Sequence, residues 1–266
     1  MQLESDEKRL RLSLRYREAT DAHSGAFREA YKTEAWDPQQ TALLICDMWD
    51  RHWCASATRR VEELAPAVDR TVREARRQGI FILHAPSATM PFYEGTPQRR
   101  RAQMAPAHPS LLDLDRWEDL DTAREPPLPI DDSDGGCPDE PSCAQYTAWT
   151  RQHPAIEIAE EDAISDSGPE VYNLLQQRGI QTVMILGVHT NMCVLGRPFS
   201  IRRLVRLGKN VVLVRDLTDS MYNPRMRPYV SHFRGTELVI EHIEAHWCPT
   251  ITSDQIAGGQ PFRFKD

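Results

Sequence analysis

A short apolar run, a turn that carries a cysteine and a helical repeat occupy residues 183–207. Residues 183–186 are all apolar and end at Gly187, which is typical of a strand buried on both faces of a parallel sheet. From Val194 onwards, apolar residues recur at helical spacing with arginines between them, and a glycine ends the repeat. The pattern predicts a strand, a turn and one helix, with Cys193 at the turn.

Cys193 therefore falls at a predicted helix start, where unpaired backbone N–H groups and the positive end of the helix dipole favour an anion. Such a position predicts a thiol that ionises more readily than a free one. The same N–H groups could hold the negative oxygen that forms when sulfur attacks a carbonyl. A buried, unreactive cysteine is the alternative, because free cysteines often pack as small apolar residues.

Strands and helices alternate from residue 41 to about residue 252, which predicts a three-layer, doubly wound α/β fold with a mostly parallel sheet. The first strand ends at Asp47 and the second, after an intervening helix, ends at His84. Such sheets keep their chemistry at the carboxyl ends of the strands. Asp47 and His84 are therefore expected on the edge that carries Cys193.

The later elements follow the same alternation. Further strands are predicted at residues 155–158, 183–186, 210–216 and 250–252, and helices at about 61–75, 169–178, 194–207 and 236–247. These boundaries assign a main domain to residues 37–254, an N-terminal extension to 1–36 and a tail to 255–266. The extension alternates charged and apolar positions, which indicates an edge strand or a clasp on a partner subunit.

An insertion over about residues 85–154 interrupts the alternation with many prolines and an acidic, glycine-containing turn. At the active edge of a sheet, an insertion of this length is more often a lid or a subunit contact than a disordered segment. Trp117, Tyr146 and Trp149 are expected to anchor an ordered lid.

Composition narrows the class of protein. A net charge of −7 without a long basic run gives no indication of a nucleic-acid partner. No stretch approaches a membrane span and the first residues are too acidic for a signal peptide, so we predict a soluble, cytoplasmic protein with a small-molecule substrate.

Cysteine usage predicts free thiols, because six cysteines are too few for a disulfide scaffold in 266 residues. Cys137 and Cys143 flank a short segment of the insertion. Two unpaired thiols are the default interpretation, and a zinc knuckle completed by His153 or His108 is the alternative.

Three motifs occur together: the first strand ending at Asp47, the strand, turn and helix around Cys193, and the downstream strand over residues 208–216. In this order and spacing the chain resembles the isochorismatase-like cysteine hydrolases, the superfamily of nicotinamidases, N-carbamoylsarcosine amidohydrolases and biuret hydrolases. The resemblance implies that Cys193 is the nucleophile and Asp47 the base that takes its proton. It also implies a cis peptide at Val188–His189, an oxyanion hole formed by the backbone N–H groups of His189 and Cys193, a homo-oligomer and no organic cofactor.

One residue of the implied catalytic set is missing. The superfamily carries a lysine just after the third core strand, and that position falls on Glu160, while no lysine lies between Lys32 and Lys209. Three explanations stay open. Glu160 or Glu161 replaces the lysine, which gives two carboxylates of which one is protonated near neutral pH. Alternatively, an arginine from the lid supplies the charge without transferring protons, or the hydrolytic activity is lost.

The loop after the first strand supplies the candidate substrate contacts. Trp49 and Trp53 predict an aromatic wall against a planar substrate, with packing in the core as the alternative, and His52 could contact substrate or metal. His84 and the ring of His189 complete the candidate substrate-binding set.

No metal is assigned. Nicotinamidases hold a metal near the second strand, but the expected Asp-x-His pattern is absent here. A divalent ion held by His84 with Asp50 or His52 is the alternative, although a histidine at a strand end more often only forms hydrogen bonds. An acid in place of the lysine would also favour a cationic or guanidine-like substrate over a carboxylate.

We therefore predict a cysteine-dependent hydrolase of a small amide or ureido C–N bond that acts through a thioester acyl-enzyme, with Cys193, Asp47 and Glu160 as catalytic residues. An ether hydrolase of the isochorismatase type is one alternative, although it would not need Cys193. A noncatalytic protein that binds a small molecule and has lost the lysine is the other.

Overall fold

The computed structural model describes residues 9–21 and 26–265. Within this part of the chain the strands are β1 (Leu10–Ala19), β2 (Phe27–Trp36), β3 (Thr41–Cys46), β4 (Phe81–Ala85), β5 (Ala163–Ile164), β6 (Thr182–Val188), β7 (Asn210–Asp219) and β8 (Thr250–Ile251). The helices are α1 (Ala55–Arg77), α2 (Met90–Tyr93), α3 (Pro97–Gln103), α4 (Gly168–Gln177), α5 (Cys193–Gly196), α6 (Ile201–Arg206), α7 (His232–His246) and α8 (Asp254–Ala257). None of these helices is both long enough and apolar enough to cross a membrane.

One sheet contains all the strands, in the order β2-β1-β8-β7-β6-β3-β4-β5. The strands from β8 to β5 pair in parallel, and β1 and β2 add an antiparallel hairpin at one edge. Every residue of β3 and of β6 is buried, as their continuous apolar runs predict for central strands. The predicted α/β fold with a mostly parallel sheet is confirmed.

Helices cover both faces of the sheet and make the three layers. Along β3, Leu44 and Cys46 face a core shared with α4, α5, α6 and α7, whereas Leu43 and Ile45 face a second core shared with α1. This alternation follows from the two-residue period of a strand. Because β3 lies between β4 and β6, its carboxyl end is central in the sheet.

The carboxyl ends of β3 and β6 lie side by side and position the site. Cys46 pairs with Gly187 on β6 and with Ala85 on β4. The segments that follow these residues in the chain therefore begin next to one another. Asp47, the 86–89 loop and the 189–193 turn meet at this end, which we call the carboxyl edge.

The third core strand does not lie where the sequence pattern placed it. Residues 155–158 contain a turn in which the Ile156 N–H bonds to the His153 carbonyl at 3.0 Å, and the strand is β5. Ile156 is buried against the α1 side of the sheet, so its apolar character reflects packing rather than strand pairing. Only residues 165–167 then separate β5 from α4, whose first turn is capped by Ser167.

The predicted single helix after the nucleophile turn is two short helices, α5 and α6. Arg197 has φ −59° and ψ 155°, which is outside the helical region. The reason is Pro198, because proline forces the preceding residue out of the α conformation. The break turns the Arg197 side chain away from the helix axis.

The N-terminal hairpin confirms the predicted edge strand. β1 and β2 pair along their whole length, and β1 joins β8 through the pairing of Arg15 with Thr250. Leu12 and Leu14 are buried under the hairpin, and the Arg15 Nε donates to Glu244 at 2.7 Å. The clasp on a partner subunit stays a prediction.

The insertion over residues 85–154 packs against α6 and α7 as a layer of loops with α2 and α3. The buried Glu125 carboxylate accepts hydrogen bonds from Arg202 Nε at 2.7 Å and from Trp247 Nε1 at 2.8 Å, and lies 2.7 Å from His242 Nε2. Trp117 is a second anchor, since a Cβ at Gly196 would lie 2.3 Å from its ring. Tyr146 does not anchor the lid, because it is 62% exposed.

The Glu125 contact generates a stability prediction. Arg202→Met leaves a buried carboxylate without its cation and should lower the free energy of unfolding by about 3–5 kcal/mol in urea titrations. Burial raises the pKa of Glu125, but hydrogen bonds from His242, Arg202 and Trp247 outweigh it and lower the pKa to about 2. The pair's stabilising contribution should therefore be present above the carboxyl's ordinary pKa of 4.5 and be lost as pH falls towards 2.

The matched control for this prediction is Arg234→Met on α7. Arg234 is 41% exposed and pairs only with surface acids, so the change should cost about 0–1 kcal/mol. Equal losses in the two variants would show that Glu125 does not anchor the lid.

Candidate active site

Asp47 is the buried centre of the site. It follows β3 directly, has φ +47° and is 0% exposed. Its Oδ1 accepts the Ser87 backbone N–H at 2.7 Å, and its Oδ2 accepts Arg197 Nε at 2.9 Å. Because a donor satisfies each oxygen, the carboxylate is held in one orientation without water.

Cys193 lies against this carboxylate. It lies close enough for the charge of this carboxylate to act on the thiol, and the His189 backbone opposes that effect by favouring the thiolate. The Val188–His189 peptide is cis, as the family resemblance implied. The structure therefore brings together Asp47, Cys193 and the backbone of His189.

The thiol at this position is not readily ionised. Burial raises the pKa of Cys193 above its ordinary value, the negative charge of Asp47 raises it further, and Arg197 only partly offsets these effects. The expectation of a lowered pKa is wrong because the thiol is 8% exposed and the helix that begins there, α5, has four residues. A helix that short has little dipole to offer. Cys193 therefore rests as a thiol.

Arg197 supplies the positive charge at the site. The Asp47 carboxylate raises the pKa of Arg197 despite burial, which acts in the opposite direction. The guanidinium carbon lies 5.5 Å from the centre of the Trp117 ring. The cation therefore comes from the segment after the nucleophile, where Pro198 breaks the helix, and the lid contributes the aromatic cover.

Glu160 and Glu161 are not brought to Cys193, so the catalytic assignment of Glu160 is corrected. Both are exposed and precede β5, at the opposite end of the sheet from the carboxyl edge. Glu161 lies 3.9 Å from Arg76 in the last turn of α1. The residue that follows the third core strand is instead Ser165, which is buried and donates its hydroxyl to Glu170.

An aromatic wall stands after β3, as predicted, with one ring more than expected. Trp49 and Trp149 stack at 4.2 Å between ring centres and 10° between planes, and the His52 ring stacks on Trp149 at 5.7 Å. Trp53 lies 5.0 Å from His52. Burial and the nearby Arg60 lower the pKa of His52 to about 4, so its ring is neutral at pH 7.

Several buried polar atoms near this wall have no hydrogen-bond partner among the described residues. They are the Trp149 Nε1, the Ser87 Oγ and the His189 Nε2. The His189 ring is 5.0 Å from His52, and burial lowers its pKa. Unpaired buried donors and acceptors are costly, so these atoms are candidate contacts for a bound substrate.

His84 is not in the site, contrary to the prediction. Its ring is buried inside β4, with Nδ1 2.9 Å from Gln152 Oε1 and Nε2 3.1 Å from Asp162 Oδ2. Asp50, the other proposed metal ligand, accepts the Thr150 N–H at 2.9 Å. His84 lies within β4 and not after it, so its side chain points to the face of the sheet that α1 covers, as Ile82 does.

Sequence reasoning missed three residues of this site. Arg197 could have been found from the proline that follows it, which signals a helix break one turn after the nucleophile. Ser87 acts through its backbone N–H, which any residue type supplies, so it leaves no sequence signal. Trp149 was predicted to anchor the lid, and its stacking on Trp49 depends on a contact between segments 100 residues apart.

The pKa shift of Cys193 predicts an unusual response to Asp47→Asn. Removing the carboxylate charge should lower the thiol pKa and speed iodoacetamide alkylation of Cys193 near neutral pH, by about tenfold for each unit of pKa. Arg197→Met should slow it. Peptide mapping by mass spectrometry measures both rates, with buried Cys248 as the internal control. Labelling rates of Cys193 that neither substitution changes would contradict the arrangement.

Comparison with known proteins agrees with this geometry. The isochorismatase domain matches residues 41–237. A cysteine hydrolase from Pseudomonas syringae pv. phaseolicola superposes with a TM-score of 0.52 at 15% identity, over 84% of this chain and 92% of that chain. A ribonuclease from Caenorhabditis elegans (TM-score 0.49, 16% identity) covers 84% of both chains. An isochorismatase family protein from Burkholderia thailandensis (TM-score 0.47, 13% identity) covers 84% of this chain and 95% of that one.

No curated protein matches this chain in sequence. At 15% identity the Pseudomonas syringae structure supports the fold alone. The domain match, however, extends over most of the chain and contains Asp47, the cis peptide and Cys193. The chain belongs to the isochorismatase domain family, a family of hydrolases.

Proposed function

We propose that this protein is a cysteine-dependent hydrolase of a small amide or ureido C–N bond, with Cys193 as nucleophile and Asp47 as general base. The observation that carries the proposal is the juxtaposition, at the neighbouring ends of β3 and β6, of Cys193 and the buried Asp47 carboxylate, whose charge acts on the thiol. Covalent catalysis requires a nucleophile within reach of a base, and a third group that orients the base. Arg197 and the Ser87 N–H provide the orientation.

In the first half of the reaction, sulfur attacks the carbonyl carbon while its proton passes to Asp47. The carbonyl oxygen becomes negative and accepts hydrogen bonds from the backbone N–H groups of His189 and Cys193. The C–N bond then breaks, and Asp47 returns the proton to the leaving nitrogen. An amine or ammonia departs and a thioester remains on Cys193.

In the second half, water attacks the thioester carbon and gives one proton to Asp47. The C–S bond breaks, sulfur recovers that proton, and the acid product leaves. Each proton taken from one group is delivered to the next through the same carboxylate. Asp47 carries every proton in this scheme, because the described residues include no other group beside Cys193 to which we assign a proton transfer.

Arg197 cannot replace the family lysine in every respect. A guanidinium stays protonated at neutral pH, so it neither donates nor accepts a proton in the cycle. It compensates the Asp47 charge and holds the carboxylate towards the sulfur. We therefore assign Arg197 a positioning role and Asp47 every proton transfer.

The aromatic wall supports a planar substrate. Trp49 is buried against Trp149, and Trp149 and His52 are only partly buried, so their rings are the apolar surface against which a planar amide or ureido group would pack. The unpartnered Trp149 N–H and Ser87 hydroxyl could bind its polar edge. With Glu160 outside the site and Arg197 inside it, the earlier reason for expecting a cationic substrate no longer applies.

A panel of small amides and ureas tests the proposal by release of ammonia or amine. Cys193→Ala should abolish turnover, and Asp47→Asn should lower kcat by about 10²–10⁴-fold because the general base is lost. Wild type mixed rapidly with a good substrate should show the acyl mass on the peptide that carries Cys193. Glu160→Gln is the control and should stay within about twofold of wild type, as an exposed change remote from the site.

Two results would overturn the assignment of a cysteine-dependent C–N hydrolase. One is release of ammonia or amine that survives Cys193→Ala, which would show that sulfur is not the nucleophile. The other is tight binding of panel compounds with no product and no acyl adduct, which would favour a binding protein.

Two substitutions of Arg197 distinguish the contribution of its charge from that of its geometry. Arg197→Lys keeps a cation near Asp47, whereas Arg197→Met removes it, so we expect kcat to fall by about 10²-fold in the methionine variant and to recover partly with lysine. Equal kcat values for the two variants would mean that Arg197 serves packing alone.

A further inference from the structure

Three cysteines and an aspartate converge outside the active site. The ligand atoms of Cys54, Cys137 and Asp139 all lie within 4.8 Å of one another. The sulfurs of Cys54, Cys137 and Cys143 are each 3.4 Å from a single oxygen, Asp139 Oδ2. We call these four residues the thiol cluster.

The thiol cluster joins two distant parts of the chain. Cys54 caps the start of α1, directly after the aromatic wall, whereas the other three residues belong to the lid. Cys54 and Asp139 are 85 residues apart in sequence. Side chains of Trp53, Met192 and Met221 pack around the sulfurs and limit their contact with water. The cluster therefore lies at the seam between lid and carboxyl edge.

The sulfur–oxygen distances match those of a tetrahedral metal site, and the Cys143 sulfur, which does not lie within 4.8 Å of both other sulfurs, would move closer on binding. With a Zn–S bond of about 2.3 Å and a Zn–O bond of about 2.0 Å, tetrahedral angles place sulfur and oxygen about 3.5 Å apart. The three observed sulfur–oxygen distances are 3.4 Å. Three thiolates and one carboxylate are also ligands that zinc accepts in closed structural sites.

Hydrogen bonds from three neutral thiols to the Asp139 carboxylate account poorly for the same arrangement. Asp139 Oδ2 would receive three S–H donors and also the Ser56 N–H at 2.9 Å. A carboxylate oxygen offers about two lone-pair directions, so four donors exceed its capacity. A metal ion among the four ligands removes this excess, because the sulfurs then bind the ion as thiolates.

We propose that Cys54, Cys137, Cys143 and Asp139 bind one zinc ion that fixes the lid to the start of α1. Ser56 supports the site, since its backbone N–H and its hydroxyl both donate to Asp139 and orient the carboxylate. Arg59, which lies 3.4 Å from Asp139 Oδ1, and the start of α1 offset part of the negative charge of the ligands. The three thiols lose their protons on binding.

The histidines considered as knuckle ligands do not take part. His153 Nδ1 accepts the Ala155 N–H at 3.2 Å, and His108 is exposed with its backbone N–H on Asn173. The remaining ligand is instead Cys54, which is distant from the lid residues in sequence. Its position next to Trp53 means that zinc would also hold the end of the aromatic wall.

Metal analysis of the full-length protein tests the proposal directly. The protein is stripped of metal with a chelator, reduced and then dialysed against limiting zinc. Elemental mass spectrometry should then find about one zinc ion per chain. Cobalt added to the stripped protein should give a thiolate-to-metal charge-transfer absorption and the intense visible bands of a tetrahedral site. These readouts do not involve catalysis, so they stand or fall independently of the hydrolase proposal.

Variants then locate the ion. Cys137→Ala should reduce bound zinc to near zero and abolish the cobalt bands, while Cys248→Ala, a buried cysteine outside the thiol cluster, should leave both unchanged. Ser56→Ala should weaken zinc binding by about 10–100-fold without removing a ligand. Zinc should raise the thermal midpoint of wild type and not that of Cys137→Ala, with folding of each variant checked by circular dichroism.

Two outcomes overturn the proposal, and neither depends on a variant. One is stripped, reduced wild-type protein that binds neither zinc nor cobalt through sulfur. The other is freshly purified protein with the mass of a disulfide between two cluster cysteines, which chelator and zinc leave unchanged. Either result identifies the cluster as ordinary thiols or a redox pair.

Discussion

The contact between the Asp47 carboxylate and the Arg197 guanidinium is the interaction on which the site depends. A carboxylate with no exposed surface is stable only where it is paired and hydrogen-bonded, and here Arg197 and the Ser87 N–H meet that requirement. The pairing requires Arg197 to leave the helix that follows Cys193, which Pro198 enforces. It also requires a cover over the guanidinium, which Trp117 of the lid provides.

This constraint sets the chemistry of the thiol. Burial and the Asp47 charge raise the pKa of Cys193, so in the proposed reaction its activation occurs during attack and not before it. A lysine at such a site could carry both charge and protons, whereas arginine carries charge alone. Asp47 therefore has to be both the anion that raises the pKa of Cys193 and the group that receives its proton.

The lid is built to exclude water from this contact. It is fixed at Glu125, which is bonded to α6 and α7, and at Trp117, which lies against Gly196 in α5. The thiol cluster is a third attachment, at the start of α1. Fixation on several helices limits the conformations of a segment with little secondary structure of its own, and a dry site strengthens every charge interaction inside it.

The sequence by itself determined the alternation of strands and helices, the parallel sheet, and the placement of Asp47 and Cys193 at neighbouring strand ends. These features depend on residue patterns over five to twenty positions, which a single chain displays directly. The family resemblance added the cis peptide, which the structure contains. It failed at Glu160, because the sequence pattern placed the third core strand at residues 155–158, whereas the strand is β5 (Ala163–Ile164).

Only the tertiary structure decided where the third core strand lies, which cation replaces the lysine, and that Cys54 joins Cys137 and Cys143. A two-residue strand such as β5 is too short to produce a periodic signal, and its pairing with β4 defines it. The Arg197 and Asp47 side chains meet across 150 residues of sequence. Local pattern specifies how each segment folds, but the partners of a side chain at a segment's end are set by how the segments pack.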